Sequence, residues 1–482
     1  MAERSQHRAS EGLEGRSKRP ATGTGSPSPR ERARITCEPY EAEQERFVNL
    51  DLVMDLFQTR AVSARRGKPL IRAIAMLLAA WAATVACVPR EAIAADDDST
   101  SAKVPRFYGA KPGSLLKARG RIATGDKSLQ RALKNLVATA DEALEVAPPS
   151  VTEKEQAPPS GDRHDYMSLA PYFWPDPTKP GGRPYVRRDG ERNPESRDPR
   201  ANDGPRIAKM GNSIESLSLA YFFTGDEKYA THAAEMARVW FIAPATRMNP
   251  NFTYAQAVPG KADGRPEGIL EARHIAVAID SLGLLVDSKE LSDADRKAIV
   301  AWLRDYVRWL LASPAGREEQ AADNNHGTYY DVQVVRLALC LDRKDYARRI
   351  LVAAKKRRIA AQIASDGSQP HELKRTKSLS YSRFNLEALC ELATLGEHAG
   401  VDLWGYAGPD GAGIRRGIEF IAPYVDEPAK KWPHEQIDEV KKEDFLPILR
   451  CAALAYKAPE FEAIVEKYPA ARADRFQLLF VP

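Results

Sequence analysis

The sequence predicts an all-α protein: an (α/α) toroid, that is, an incomplete α/α barrel, with long active-site loops. Three observations lead there. From Ser128 onward, apolar residues recur at spacings of three and four, the signature of helices that bury one face. No convincing stretch alternates apolar and polar residues as a half-buried strand does, and no glycine-rich βαβ unit occurs. The helical stretches also come in consecutive pairs, some followed by long loops. A helical solenoid is the main competing layout, but no fixed-period repeat runs through the chain.

The elements follow in order. Ser128 to Ala147 carries Leu129, Leu133, Leu136 and Val137 and stops at Pro148-Pro149. Pro158 to Arg206, crowded with Pro, Gly and Asp, reads as irregular. Helices are then expected at Ile207–Phe223, Asp226–Phe241, Glu267–Val286, Ser292–Ala312, Thr328–Leu341, Lys344–Ala364, Ser382–Ala399, Ile414–Ala422 and Asp444–Tyr456. Asp226 and Ser292 sit where N-caps belong, and Gly225 and Gly400 where helices stop. Residues 95–482 are expected to form one domain.

The first 94 residues read differently. Residues 1–53 are polar and rich in Arg, Glu, Ser and Pro, with no helical or strand period. Arg65, Arg66, Lys68 and Arg72 then precede the apolar run Ala73 to Val88, which ends at Ala92-Ile93-Ala94. Basic, apolar and small residues in that order make a secretory signal, too short for a membrane span of about 20 apolar residues. A signal does not normally follow 53 polar residues, so Met54 is the expected true start. Cys87 is a candidate lipidation site, although Thr84 occupies the place of a large aliphatic residue. A periplasmic or secreted protein with no membrane span in its mature form is expected.

Charge excludes little once this leader is set aside. Residues 1–94 hold 15 Lys/Arg and 11 Asp/Glu, leaving 56 and 55 for the remainder, so the formal +5 says nothing about a polyanionic ligand. Any such binding must come from local Arg and Lys placement. No phosphate loop, dinucleotide fingerprint, HExxH or CxxC occurs, so neither cofactor nor metal is expected, and no nucleic-acid partner. Cys340, Cys390 and Cys451 lie in apolar helical patterns and read as core residues. Oligomeric state is not encoded in any feature of the sequence.

Three polar segments carry chemistry. Tyr172-Phe173-Trp174-Pro175-Asp176-Pro177 and the stretch from Pro184 to Gly190, with Arg187 and Arg188, present aromatics and guanidinium groups on a proline-stiffened loop. That surface suits sugar stacking and carboxylate binding, although Phe173 and Trp174 equally suit pinning a loop to the body. Asp323-Asn324-Asn325-His326-Gly327-Thr328 places two amides and an imidazole at a helix N-terminus, where backbone N–H groups favour anions. Ordinary capping explains the asparagines as well, while Gly327 permits a close backbone approach. The third segment presents Glu372, then Arg375 and, six residues on, Tyr381 at a helix start.

The strings NNHGTYYDVQ, DGSQPHELKRTKSLSYSRFN and PYFWPDP together resemble the alginate lyase domain family, which covers polysaccharide lyase family five and the related family thirty-eight. The resemblance spans roughly residues 160–400, and MNPNFTYAQAVPGKADGRPEG, residues 248–268, is similar to that family's substrate loop. It implies an α/α toroid and metal-independent cleavage of uronic-acid polymers. The family's Asn-His pair falls on Asn325 and His326, its Arg on Arg375 and its Tyr on Tyr381. The six-residue Arg–Tyr spacing favours the family-thirty-eight-like branch, of alginate, mannuronan or glucuronan type. Tyr172, Trp174, Arg188, Tyr254 and Gln256 are the expected substrate-binding residues, and the partner an anionic polysaccharide or oligosaccharide.

These residue types suit β-elimination. The C5 proton of a uronate is a poor acid, because the adjacent carboxylate resists more negative charge. Asn325 and Arg375 can neutralise that carboxylate, while Tyr381, with an ordinary pKa of about 10, needs a positive neighbour to act as base. His326 titrates near neutrality and is the natural second acid/base. Two other readings compete: a glycoside hydrolase drawing paired carboxylates from Glu267, Glu271, Asp323 and Glu372, and a non-catalytic polysaccharide-binding protein.

Overall fold

A computed structural model describes residues 106–427, 431–468 and 474–481. The leader and signal at 1–94, the start at Met54, and Cys37 and Cys87 lie outside the described residues. The helices are α1 (Ser114–Ala123), α2 (Lys127–Leu144), α3 (Gly204–Thr224), α4 (Glu227–Ala237), α5 (Arg273–Leu282), α6 (Asp293–Ala312), α7 (Pro314–Ala321) and α8 (Asn325–Cys340). They continue with α9 (Lys344–Ala354), α10 (Pro370–Leu373), α11 (Ser378–Ala399), α12 (Ile414–Asp426), α13 (Leu446–Tyr456), α14 (Pro459–Glu466) and α15 (Phe476–Leu479).

Burial sorts them into two layers. α8 buries nearly every side chain, from Asn325 to Leu339, and α3 and α11 bury most of theirs. α4 and α9 bury one face only, led by Tyr229 and Met236 in one and by Tyr346, Ile350 and Leu351 in the other. The packing is sequential: α3 on α5, α5 on α8, α8 on α11, α11 on α13. Outer helices α4, α9, α12 and α14 pack on α3, α8, α11 and α13. An inner ring backed by an outer layer is the (α/α) toroid the periodicity predicts. At the far end α15 returns to pack on α1 and α2.

The expected caps form. Asp226 accepts the Lys228 N–H, and Ser292 makes a capping box with Asp295. Gly225 and Gly400 end α3 and α11 in the left-handed conformation, with φ of 72° and 75°. The sequence reading missed α1, α7, α10, α14 and α15, all short. It also joined α9 to the following residues as one α-helix, whereas Lys355–Ala360 widens to a π-helical turn. Cys340, Cys390 and Cys451 are free thiols, the last two buried.

The irregular stretch contains four short strands that periodicity could not reveal: β1 (Met167–Leu169), β2 (Phe173–Trp174), β3 (Val186–Arg187) and β4 (Tyr254–Ala257). β1 pairs parallel with β4, and β2 antiparallel with β3. Phe173 is buried with Ala170 and Val258, and Tyr185 packs against them. For Phe173 the pinning reading is therefore the right one. The two-strand units join through Tyr185 N–H to Pro259 O at 3.0 Å, making one wall from two loops. Beneath it, the fully buried Lys154–Asp203 ion pair (2.9 Å) ties the start of α3 to β1, because Asp203 also accepts the Met167 N–H at 3.0 Å.

Candidate active site

The site is built at the N-terminal ends of α8 and α11. Asn324 is the N-cap of α8, its side chain accepting the His326 N–H at 3.1 Å. Asn325, fully buried, donates its backbone N–H to Glu372 at 2.7 Å and its amide Nδ2 to both Glu372 oxygens at 3.1 and 3.0 Å. Glu372 lies in α10, so this clamp joins two segments separated by 47 positions. Burial pushes the Glu372 carboxyl up, against the pull of the Asn325 donors and the charges of Arg375 and His326. The Oδ1 of Asn325 is buried with no hydrogen-bond partner.

His326 stands one residue on. Its Nδ1 is 2.7 Å from Oε1 of Glu319, which α7 delivers almost completely buried. An Nδ1–H held by a carboxylate leaves Nε2 as the acceptor in the neutral ring. Burial opposes the charged imidazolium, but the charge and hydrogen bond of Glu319, with Glu267 and Glu372 behind them, outweigh it and raise the pKa.

The third group centres on Tyr381, in the first turn of α11. Its hydroxyl donates to the Tyr172 hydroxyl at 2.8 Å and accepts from Nη2 of Arg375 at 2.8 Å. The guanidinium also lies 3.8 Å from the centre of the Tyr381 ring, a cation–π contact. Burial and Tyr172 push the phenol well above its usual pKa, while Arg375 pulls it down. Arg375 is held in turn by Asp189, through Nε at 3.1 Å and Nη2 at 2.8 Å. Burial works against the Asp189 carboxylate, yet Arg375, Arg187 and the Thr376 N–H keep its pKa well below the usual range.

Hydrogen bonds thus link Asn325 to Glu372 and Tyr172 to Tyr381 and Arg375. The charges of Arg375 and His326 both act on Glu372, the carboxylate that holds Asn325. The expected substrate residues form the wall beside them. Trp174 donates to Glu191 O at 2.9 Å, with the Arg188 guanidinium 5.2 Å from its ring centre, and the Arg188 N–H donates to Tyr172 O at 2.8 Å. Gln256 is buried, in a left-handed backbone (φ 51°), its N–H on Ser168 Oγ at 2.8 Å. Tyr254 opens the same strand. Among the described residues, Trp174, Arg188, Tyr254 and Gln256 make no hydrogen bond to Asn325, His326, Arg375 or Tyr381.

The glycine expected to let backbone approach a ligand, Gly327, does something else, and Gly264 in the 248–268 loop is likewise closed in by its own chain. A Cβ on Gly327 would meet Ala322 O at 2.1 Å and Nη1 of Arg358 at 2.2 Å, so the missing side chain makes room for Arg358. One on Gly264 would meet Thr253 O at 2.0 Å, so that loop packs on itself.

Comparison with known proteins places the chain. The alginate lyase family model matches residues 150–432. The chain belongs to the alginate lyase family. An alginate lyase from Bacteroides ovatus is 37% identical, with a TM-score of 0.74 over 78% of this chain and 99% of its own. Alginate lyase A1-III from Sphingomonas species A1 shares the fold at 18% identity, with a TM-score of 0.53 over 79% and 98% of the two chains. A variant of that Sphingomonas protein, complexed with a tetrasaccharide, gives 17% identity and a TM-score of 0.52, again over 79% and 98%. No curated protein matches the chain. As a member of this family the protein is a polysaccharide lyase, which sets aside the hydrolase and the non-catalytic reading.

Three of the four carboxylates that hydrolysis could draw on are in any case occupied. Glu271 accepts from Tyr166 Oη at 2.7 Å and Ser168 Oγ at 2.6 Å, Glu372 holds Asn325, and Glu267 pairs with Arg265. Sequence reasoning missed Glu319 and Asp189. Glu319 had a signal, since Ser313-Pro314 is a cap-and-first-turn pair that begins a helix and sets Glu319 seven residues before His326. Asp189 had none, being one acidic residue in an irregular loop.

Proposed function

We propose that this lyase cleaves uronic-acid polysaccharide of the alginate, mannuronan or glucuronan type by β-elimination, with Tyr381 and His326 as the proton carriers. The observation that carries the reading is Tyr381 Oη, hydrogen-bonded at 2.8 Å to the Arg375 guanidinium, whose charge also acts on the carboxylate that holds Asn325. A phenol so placed is stabilised in its ionised form by Arg375 when substrate arrives.

Neutralisation of the uronate carboxylate falls to Arg375 and Asn325. Asp189 and Tyr381 engage Nε and Nη2 of Arg375, which leaves Nη1 for a substrate carboxylate. The Asn325 amide carries two hydrogens; one shared between the Glu372 oxygens leaves the second for substrate. With the acidity of C5 raised, Tyr381 takes the proton and returns it to the departing O4 where both lie on one face. For the opposite epimer His326 takes the proton and Tyr381 protonates O4. Trp174, Arg188, Tyr254 and Gln256 supply sugar and carboxylate contacts along the polymer.

The alginate lyases of known structure and the family match support alginate as the first substrate to test. The basic, apolar and small-residue order of residues 65–94 supports action in the periplasm or outside the cell. The test is a panel of uronans: elimination leaves an ultraviolet-absorbing unsaturated uronate, whereas new reducing ends without that absorbance would overturn the reading.

A further inference from the structure

The helix that carries Tyr381 does not cap itself. An α-helix leaves its first N–H groups without intrahelical partners, and the residue before the helix normally supplies one. In α11 that residue is Lys377, which makes no side-chain capping bond. The missing partners come from a segment some 57 positions downstream. Glu435 O accepts the Ser378 N–H at 3.1 Å, and Gln436 Oε1 accepts the N–H groups of Leu379 at 3.1 Å and Ser380 at 3.3 Å. The next N–H, that of Tyr381, is the first to bond within the helix, to Lys377 O at 2.9 Å.

The capping amide is itself fixed. Gln436 Nε2 donates to Ser380 Oγ at 3.1 Å and to Asp438 O at 3.0 Å, so both ends of the side chain are occupied. Around it, residues 432–438 lie along 376–378 as an antiparallel strap. Lys377 and Gln436 form a β-bridge, the Ile437 N–H donates to Thr376 O at 3.0 Å, and Lys377 pairs with Asp438. Trp432 anchors the upstream end, donating to Ser378 Oγ at 2.7 Å while its ring meets Phe420 and Tyr424 of α12 edge-on. Ile437 also reaches Gly190, next to the Asp189 that grips Arg375.

We infer that Gln436 is a positioning residue for elimination: a remote N-cap that fixes the first turn of α11, and with it the Tyr381 hydroxyl relative to Arg375 and Tyr172. The inference rests on the reading of Tyr381 as acid/base. It reaches past the family match, which ends at residue 432. Because the cap touches no substrate, its loss lowers kcat and leaves KM unchanged.

The test compares four variants of the full chain on the uronan that wild type degrades best. Gln436→Met keeps the volume but removes the acceptor; kcat is expected to fall about tenfold with KM within about twofold. Gln436→Glu restores an acceptor at a helix N-terminus and is expected to recover most of kcat. Ser380→Ala, a milder change, removes one tether of the amide and is expected to cost roughly two- to threefold, so the idea stays testable if Gln436→Met does not fold. Asp226→Ala uncaps the outer helix α4 and is the control: a Tm loss of roughly 2–4 °C with kcat unchanged. If the Gln436 and Ser380 variants lose Tm like the control yet keep wild-type kcat, the cap only stabilises and the inference falls. If Tyr381→Phe retains turnover, the acid/base reading has failed instead, an outcome the Gln436 variants do not affect.

Discussion

Asp189 holds Arg375 by two bonds, Nε to Oδ2 at 3.1 Å and Nη2 to Oδ1 at 2.8 Å, across 186 positions of sequence. The same Nη2 donates to Tyr381, so a carboxylate on the 172–190 loop sets the orientation of the cation that the phenol leans on. Loop and helix are thereby one hydrogen-bonded unit.

Asp189→Asn separates them. The loosened guanidinium is expected to lower kcat about tenfold. The pH profile should move as well. Burial and Tyr172 raise the Tyr381 pKa, Asp189 adds to that rise, and Arg375 opposes it. Removing the Asp189 charge takes away one of the groups that raise the phenol, so its pKa falls and the rising limb of kcat/KM shifts to lower pH. Initial-rate profiles of the two proteins check the sign; a shift to higher pH would refute the coupling.

Tyr381→Phe deletes only the hydroxyl. Turnover is expected to drop by about 10³-fold or more, because the proton carrier is gone, while polymer binding stays within a few-fold. Product absorbance and calorimetric binding measure the two separately. Near-normal elimination would move the role of base to His326.

His326 gives a stability signature. Burial alone lowers its pKa, but Glu319 more than compensates, so the folded value is raised above the ordinary 6.5. A raised folded pKa contributes stability that is complete below the unfolded value and fades as pH rises through the folded one. Glu319→Gln should therefore lower Tm most in mild acid, with the gap to wild type narrowing above pH about 6.5. Thermal melts across pH 5–9 suffice, and a gap that widens with pH would contradict the pairing.

The Lys154–Asp203 pair makes a contrasting prediction. Burial pushes Asp203 up to about 6 despite Lys154, and burial lowers Lys154 despite Asp203. Both shifts say that ionisation there is costly at neutral pH. Lys154→Met leaves the buried Asp203 carboxylate only its longer contact with Arg206 (3.4 Å) and should cost about 3–5 kcal/mol in urea denaturation. Pairing it with Asp203→Leu should recover part of that loss, less the bond to the Met167 N–H. A double variant as unstable as the single would show that the β1 contact dominates.

The inner helices and all but one of the outer ones, α14, were legible in the sequence because a helix that buries one face writes its period into nearby residues. Asp226, Ser292, Gly225 and Gly400 marked their ends for the same local reason. Asn325, His326, Arg375 and Tyr381 stood out as polar groups interrupting that period at helix starts. The tertiary structure alone decided their partners. Glu372 proved to be the carboxylate under Asn325, Glu319 the acceptor of His326, Asp189 the clamp on Arg375 and Gln436 the cap above Tyr381. Each of those contacts joins segments whose own patterns are satisfied without it, except that Glu319 lies close enough in sequence for a cap signal to announce its helix. Periodicity records which face of a helix is buried; it carries no record of which distant chain completes a buried charge or an open helix end.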